Sequence, residues 1–170
     1  MTRGAQTRPG QGRARAYHRD VTTPSSAEPA VWRTLLRAQV LISRRLQALL
    51  LAEHDLALGS YEVLRHLGES PNGKLRMNDL ADRVLLSRSG LTRLVDRMQR
   101  EGLVARASCA SDARGLFAVL TPAGRARLDA ATPTYQQAVR EYLLSRLDQD
   151  DLEQFGVILD KLADEPACVP

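Results

Sequence analysis

The sequence predicts a mainly α-helical fold with one small β-hairpin, and three observations lead to that prediction. Its 170 residues suffice for one domain of ordinary size with a buried core. Apolar residues recur at helical spacing through several long stretches. Two short segments have the composition of β-strands, and a polar connector joins them. This combination favours a helical domain that carries a single hairpin.

The first 29 residues differ in composition from the rest of the chain. They hold five arginines and two acids among many Gly, Pro, Ser and Thr residues, without apolar periodicity. Such a segment buries too little apolar surface to offset its ordering entropy. We predict an Arg-rich disordered tail over residues 1–29 and a single domain over residues 30–170. Composition leaves open whether the tail binds phosphates or only solvent.

A long helix is predicted at the start of the folded region, over about residues 31–57. Leu35, Ile42 and Leu46 share one face, and further leucines widen the apolar arc beyond what one neighbouring helix covers. Either a later helix of the same chain or a second subunit must cover that surface.

The C-terminal part, about residues 121–163, predicts two more helices. Thr121 and Pro122 form a favourable start for a helix to about residue 146, which Pro133 is expected to kink or split. Asp148 is expected to cap the last helix. The side chains predicted to point inward from that helix are Leu152, Phe155, Leu159 and Leu162.

The middle of the chain, about residues 59–120, predicts shorter elements. In order these are a helix, a turn, two helices and two strands, over residues 61–67, 70–73, 77–84, 87–101, 103–107 and 116–120. Ser87 is a favourable N-cap for the third of these helices, and Gly102 is a favourable stop. Two helices joined by a tight turn and followed by a hairpin are the layout of a winged helix-turn-helix.

The helix that follows Ser87 has two faces of opposite chemistry. A buried stripe is predicted at i, i+3, i+4 and i+7, at Leu91, Leu94, Val95 and Met98. The other face carries hydroxyls and arginines, at Arg88, Ser89, Thr92, Arg93, Arg97 and Arg100. Such groups at a helix N-terminus suit the recognition of base edges in the major groove of DNA. A solvated helix face is the alternative, because Asp96 and Glu101 are spaced to pair with Arg100 and Arg97.

The distribution of charge favours the DNA-binding interpretation. Residues 74–114 hold nine basic and five acidic side chains, a net charge of +4. From Thr121 to the C-terminus there are five basic and nine acidic side chains, a net charge of −4. A basic middle and an acidic C-terminal region predict one side that faces DNA and one side turned away from it.

Five stretches of the sequence form a pattern at fixed spacing, namely Leu75–Ala81, Leu86–Met98, Glu101–Arg106, Ser111–Gly115 and Leu120–Gly124. A helix-turn-helix alone is a weak signal. Here it is followed by an Asp-x-Arg-Gly hairpin and a Leu-Thr-x-x-Gly restart of helix, and this order resembles the MarR-type transcriptional regulators. The similarity extends from about residue 35 to residue 162.

The resemblance implies a homodimer, in which the first and the last two helices of both subunits interleave, about residues 31–57 and 121–163. It also implies that the helix from Ser87 to Arg100 enters the major groove of double-stranded DNA. Arg114 would reach into the minor groove from the wing, held in place by Asp112. The residues expected to contact DNA are Arg76, Ser87, Arg88, Ser89, Thr92, Arg93, Arg97, Asp112 and Arg114. An Arg114–Asp112 pair in a solvated turn is the alternative.

Members of this family commonly release DNA when a small aromatic acid, phenol or antibiotic binds between the dimer helices and the reading domain. In this chain Trp32, His54 and Tyr61 lie in the segments that would line such a cleft. Each of them also fits an ordinary core or surface position. The resemblance therefore implies a small aromatic effector without identifying it.

Other classes of protein are not favoured. The sequence has three histidines and shows no metal-binding motif, phosphate-binding loop or catalytic constellation, so we predict neither an enzyme nor a cofactor. Its two cysteines, Cys109 and Cys168, indicate neither a disulfide framework nor a zinc site, and a thiol switch is not favoured.

The longest apolar run is far too short to cross a membrane and the N-terminus does not resemble a signal peptide, so we expect a cytoplasmic protein. The leading hypothesis is a repressor that binds a near-palindromic site and is released by an effector. The alternative is a winged-helix architectural DNA-binding protein, or a dimeric interaction module, without an effector.

Overall fold

The computed structural model describes the backbone of residues 28–109 and 112–163, and the side chains of residues 28–108 and 116–163. The elements are α1 (Glu28–His54), α2 (Leu58–Glu69), β1 (Lys74–Arg76), α3 (Met77–Arg83), α4 (Arg88–Arg100), β2 (Val104–Cys109), β3 (Asp112–Leu120), α5 (Pro122–Tyr142) and α6 (Gln149–Ala163). The fold is therefore mainly helical with a small sheet, as predicted. The predicted tail lies outside the described residues, except that residues 28 and 29 begin α1.

The chain divides into two compact units, residues 1–36 and residues 37–170, and α1 crosses the boundary. In the first unit, the described residues 28–36 are the opening turns of α1 and are all exposed. In the second unit, α1 buries Leu46 and Leu50 and ends at His54, and the next residue, Asp55, turns the chain with a positive φ of 46°. The amide of Leu58 donates to Oε1 of Gln47 over 2.9 Å, so a side chain of α1 satisfies the start of α2.

The core of the second unit lies between α2, α3, α4 and the sheet. Its members are apolar residues spaced at helical intervals, among them Tyr61, Val63, Leu64, Leu67, Leu80, Ala81, Leu91, Val95 and Met98. Leu75 and Ala118 add the inner face of the sheet. This core fixes the orientation of α4 relative to α2 and α3.

The sheet is antiparallel with the order β1-β3-β2, so it has one strand more than the predicted hairpin. Leu75 pairs with Ala118, and Ala118 pairs in turn with Arg106 of β2. The prediction missed β1 because three residues are too few to show alternation. The 3-10 turn before it, Pro71–Gly73, has Asn72 and Gly73 at positive φ, consistent with the turn predicted there.

The start of α5 is a close joint between the hairpin and the C-terminal helices. Thr121 caps α5 by accepting from the Gly124 amide over 3.0 Å, as predicted. The same hydroxyl donates to the carbonyls of Gly102 and Leu103, which lie just before β2. A Cβ on Gly124 would clash with the Leu103 carbonyl, so the helix and the chain ahead of β2 touch backbone to backbone.

Two predictions about the C-terminal helices were wrong. One helix was expected to reach residue 146, but α5 ends at Tyr142 and a 3-10 turn follows at Leu144–Arg146; Pro133 does not split α5. Side chains on both sides of that proline, Ala131 and Ala138, are buried.

The second wrong prediction concerns the apolar face of α6. Asp148 caps this helix as predicted, because its Oδ1 accepts from the Asp151 amide over 2.8 Å. However, α6 buries no residue, and Leu159 and Leu162 are 41% and 67% exposed. Leu152 and Phe155 are half-buried, so the described residues cover this face only in part.

Candidate nucleic-acid interface

The helix α4 begins as the sequence predicts. Ser87 adopts an extended backbone conformation, and its Oγ accepts from the Gly90 amide over 3.1 Å, which satisfies one of the free amides of the first turn. Leu85 turns the chain between α3 and α4 with a positive φ of 54°, and its side chain is 91% exposed. The cap and this turn set where α4 starts relative to α3.

One face of α4 is held in the core, and the opposite face is free to meet a partner. Leu91, Val95 and Met98 are buried, and Leu94 packs against the core while remaining partly exposed. The predicted DNA-contacting side chains of the first turns are all exposed, namely Ser87, Arg88, Ser89, Thr92 and Arg93. The predicted contact face therefore starts at the helix N-terminus, and the described part of the chain leaves it uncovered.

The hydroxyls of this face are arranged along its backbone. Thr92 Oγ1 donates to the carbonyl of Arg88 over 2.8 Å, and the hydroxyls of Ser87 and Ser89 lie 3.3 Å apart. Both arrangements leave the guanidinium groups of Arg88 and Arg93 outside, where they can reach a partner.

Arg97 lies apart from this group. Its Nη2 donates to Ser60 Oγ over 3.2 Å, and its Nε lies 3.7 Å from a carboxylate oxygen of Glu101, the partner that the spacing predicts. The guanidinium thus contacts the start of α2 rather than the start of α4. Its contact with DNA stays a prediction.

The other predicted ion pair of α4 was wrong. Asp96 binds Arg106 of β2, with 2.6 Å between Oδ1 and Nη2, and not the side chain of Arg100. Arg100 instead donates from Nε to the backbone carbonyl of Asp96 over 3.3 Å. Helical spacing cannot reveal this pair, because its arginine comes from a strand whose position depends on the tertiary fold.

The tip of the wing lies largely outside the described residues. The backbones of Asp112 and Arg114 belong to β3 and that of Cys109 to β2, but the side chains of all three lie outside the described residues. The minor-groove contact of Arg114 and the supporting role of Asp112 stay predictions.

Arg76 lies immediately before α3 and belongs to a cluster that the sequence did not predict. The Lys74 Nζ lies 4.1 Å from the centre of the Phe117 ring, and the Arg76 guanidinium lies 5.2 Å from it. Both cations thus lie within cation–π distance of one ring on the outer face of the sheet. The sequence would have predicted this cluster if β1 had been recognised as a strand, because Lys74 and Arg76, at its two ends, then lie on the same face of the sheet.

The predicted effector residues have different surroundings. Trp32 is 59% exposed. Tyr61 is buried, stacks on Tyr135 with 4.4 Å between ring centres, and burial raises its pKa. His54 Nε2 lies 2.8 Å from Thr134 Oγ1, so its ring is tied to α5. Tyr61 thus serves the core, and the ligand contacts of all three residues stay predictions.

A separate apolar cavity of about 430 Å³ lies between α1 and α2, next to the turn before α4. It is lined by Ser43, Arg44, Gln47, Leu58, Gly59, Glu62, Val84 and Leu86. Sequence reasoning missed this cavity because its walls come from three separate segments.

No group of three or more His, Cys, Asp or Glu residues in the described part of the chain could hold a metal ion. None of the described helices is long and apolar enough to cross a membrane.

Comparison with known proteins gives a consistent result. A model of the MarR family matches residues 54–115. The homoprotocatechuate degradative operon repressor of Escherichia coli is 31% identical over 108 residues, which cover 64% of this chain and 71% of that protein.

Solved structures agree over a larger share of the chain. AbsC, a MarR family transcriptional regulator from Streptomyces coelicolor, is 34% identical with a TM-score of 0.78, and the match covers 83% of this chain and 95% of that one. Sco3205, a MarR family regulator from the same organism solved in complex with DNA, is 33% identical with a TM-score of 0.80; the match covers 85% and 91% of the two chains.

A helix-turn-helix with an exposed basic face, followed by a hairpin, defines a winged-helix DNA-binding protein. The chain belongs to the MarR family, which confirms the resemblance found in its motifs. Its relatives are transcriptional regulators rather than enzymes. The protein is therefore a DNA-binding transcriptional regulator.

Proposed function

We propose that this regulator is a homodimeric repressor that binds a near-palindromic DNA site and is released by a small aromatic acid. The observation that carries the proposal is the uncovered polar face at the start of α4. Arg88 and its neighbours there combine charge, hydrogen-bond donors and close approach, as base recognition requires. The relative from Escherichia coli is named as a repressor, which supports the direction of regulation.

The homodimer is supported by apolar surface that residues 28–108 and 116–163 leave open. Val157, Ile158 and Leu162 of α6 are more than half exposed, and Val40 and Leu41 of α1 are exposed as well. A soluble monomer rarely exposes contiguous apolar surface of this kind. A second copy would cover it and would place two copies of α4 on one face of DNA, with half-sites about one helical turn apart.

Within each half-site the predicted contacts divide into two kinds. Arg88 lies one residue after the cap of α4, and we assign it to a guanine edge, with Ser89, Thr92 and Arg93 beside it. Arg114 on the wing and Arg76 before α3 are assigned to the minor groove and the phosphates, which carry little sequence information. A repressor with these contacts acts in the cytoplasm, where bacterial DNA lies.

The effector site is assigned to the cavity of about 430 Å³ between α1 and α2, which Trp32, His54 and Tyr61 do not line. Its volume suits one small aromatic molecule, and its walls are mostly apolar. Arg44 at its rim would pair with a carboxylate. Because Val84 and Leu86 also line it, an occupant would press on the turn that sets the start of α4.

Selection of bound duplexes from random DNA, followed by footprinting on the region upstream of the gene, tests the proposal. We expect one near-palindromic motif, protection of one or a few sites, and reduced transcription in vitro from a promoter that overlaps them. Broad coating of DNA would instead indicate an architectural protein. The absence of DNA binding would indicate an interaction module.

The effector is tested by a thermal-shift screen of aromatic acids and phenols, because a ligand that binds only the folded state raises the melting temperature. We expect a hit to release DNA, and Arg44→Gln to weaken its effect. A full response in Arg44→Gln would contradict the assignment of the cavity.

A further inference from the structure

We infer that Arg106 and Asp96 form a latch between the wing and α4, and that Arg106 is a positioning residue for base recognition rather than a DNA contact. The inference rests on the proposed function, since it concerns how α4 is held while it reads bases. Its basis is the geometry of one guanidinium between two elements that both serve the DNA interface.

The latch joins two backbone elements through one nitrogen. Arg106 lies within β2, and its register opposite the buried Ala118 turns its side chain toward the inner face of the sheet. Its Nη2 lies 2.6 Å from Asp96 Oδ1 and donates to the carbonyl of Thr92 over 3.3 Å. A charge-assisted bond and a bond to the helix backbone thus fix the wing strand against α4.

The position of the latch along α4 gives it a functional meaning. Thr92 lies one turn after Arg88, and the Thr92 hydroxyl donates to the Arg88 carbonyl. A rotation or slide of α4 at Thr92 would therefore move the side chains assigned to the bases. Such a movement would disturb the hydrogen bonds between these side chains and the base edges, because hydrogen bonds depend on direction as well as distance.

Burial distinguishes Arg106 from the arginines assigned to DNA. Its side chain is 24% exposed, and its Nε is buried without a hydrogen-bond partner among the described residues. Arg88 and Arg93, by contrast, are exposed. Because the Arg106 side chain binds Asp96 and Thr92, we assign it to contacts within the protein rather than to DNA. A lysine carries enough donors to bind the same two acceptors, because its ammonium has three.

The sign of one substitution separates the latch from simple electrostatics. Asp96→Asn removes a negative charge from the DNA-binding helix, and electrostatics alone would strengthen binding to any DNA. The latch predicts the opposite for the selected site, because Arg106 loses its partner. The matched control is Asp82→Asn, which removes an exposed charge from α3 and should bind both DNAs as tightly as the wild type or more tightly.

Fluorescence anisotropy with the selected duplex and a scrambled duplex gives the measurement. We expect Asp96→Asn and Arg106→Met each to lower the ratio of the two affinities by about tenfold, with less than additive loss in the double variant. Arg106→Lys should recover most of the ratio. Circular dichroism and sedimentation confirm that each variant is folded and dimeric to the same extent as the wild type.

Three results would overturn the latch. One is tighter binding of Asp96→Asn to both duplexes, as in Asp82→Asn. Another is equal weakening on both duplexes by Arg106→Met with a smaller salt dependence, which marks a phosphate contact. The third is unchanged amide hydrogen exchange around Thr92 when Arg106→Met is compared with the wild type as free proteins. This measurement also decides the latch if the wild type selects no motif, in which case the proposed function fails.

Discussion

The helices α4 and α6 both leave one face uncovered, but the two faces differ in chemistry. In α4 the apolar face is buried by the same chain, and the exposed face carries arginines and hydroxyls. In α6 nothing is buried, and the exposed face is apolar. An exposed face of arginines and hydroxyls, on a helix whose apolar side is already buried, predicts an anionic partner that forms hydrogen bonds. An exposed apolar face, on a helix that buries nothing, predicts a protein partner. The same chain thus specifies two kinds of partner.

The largest expected effect comes from a charge on the apolar face. Leu159→Glu should prevent dimer formation and lower affinity for the selected duplex by at least about a hundredfold, because the interface would bury an unpaired carboxylate. Gln149→Glu, which adds the same charge in the first turn of α6, away from Val157 and Ile158, is the control. Sedimentation and anisotropy measure both effects. A dimeric, fully active Leu159→Glu would mean that α6 does not form the interface.

Next in size is the division of labour within the DNA interface. Arg88→Ala should cost about 1–3 kcal/mol on the selected site and relax selection at one base per half-site. Arg114→Ala should weaken binding to all DNA by similar factors and lower the salt slope by about one. Repeated selection from random DNA with both variants measures this. A changed motif with Arg114→Ala and an unchanged one with Arg88→Ala would reverse the two roles.

Two substitutions at the cap of α4 separate its contribution to stability from the effect of its charge on DNA binding. Ser87→Ala should destabilise the protein by about 1 kcal/mol, since the Gly90 amide loses its acceptor. Ser87→Asp should keep the stability but weaken DNA binding, because the carboxylate caps the helix and repels phosphate. Urea unfolding and anisotropy provide the two measurements. Equal stability of Ser87→Ala and wild type would show that the cap contributes nothing.

A smaller gain in stability is expected at the turn before α4. Leu85 has a left-handed backbone and an almost fully exposed side chain, so Leu85→Gly relieves strain while losing little packing. The net gain should be about 0.5 kcal/mol after the added entropy of the unfolded chain. Leu86→Gly, at a position without the left-handed backbone, should destabilise instead. A loss of stability in both variants would contradict the strain argument.

The smallest expected effect is a dependence of stability on pH at His66. Burial, followed by the Arg65 charge, lowers the pKa of His66 below its ordinary value of 6.5. The unfolded chain then binds the proton more readily, so stability should fall as pH drops below about 6.5. His66→Gln should reduce that fall in urea midpoint. An unchanged pH profile would show that His66 does not contribute.

Local features were predicted well because their causes are local. The caps at Ser87, Thr121 and Asp148 depend on one side chain and an amide a few residues away, and all three were confirmed. The buried stripe of α4 followed from helical spacing in the same way.

Features that need distant residues were missed. The strand β1 exists because Leu75 pairs with Ala118, and the Asp96 partner comes from β2. The exposed face of α6 was predicted to be inward, because an apolar stripe indicates burial but not whether the cover belongs to the same chain. The contacts of Arg88 and Arg114 with DNA stay predictions for a similar reason, since the partner lies outside the chain.

The joint at the start of α5 has a mechanical consequence. Where Gly124 meets the Leu103 carbonyl and Thr121 binds both neighbouring carbonyls, the chain has no compliant segment between the hairpin and α5. A tilt of α5 therefore moves the wing in the same direction. In the proposed homodimer, the distance between the two wings would then depend on the angle between the two α5 helices, far from any nucleotide.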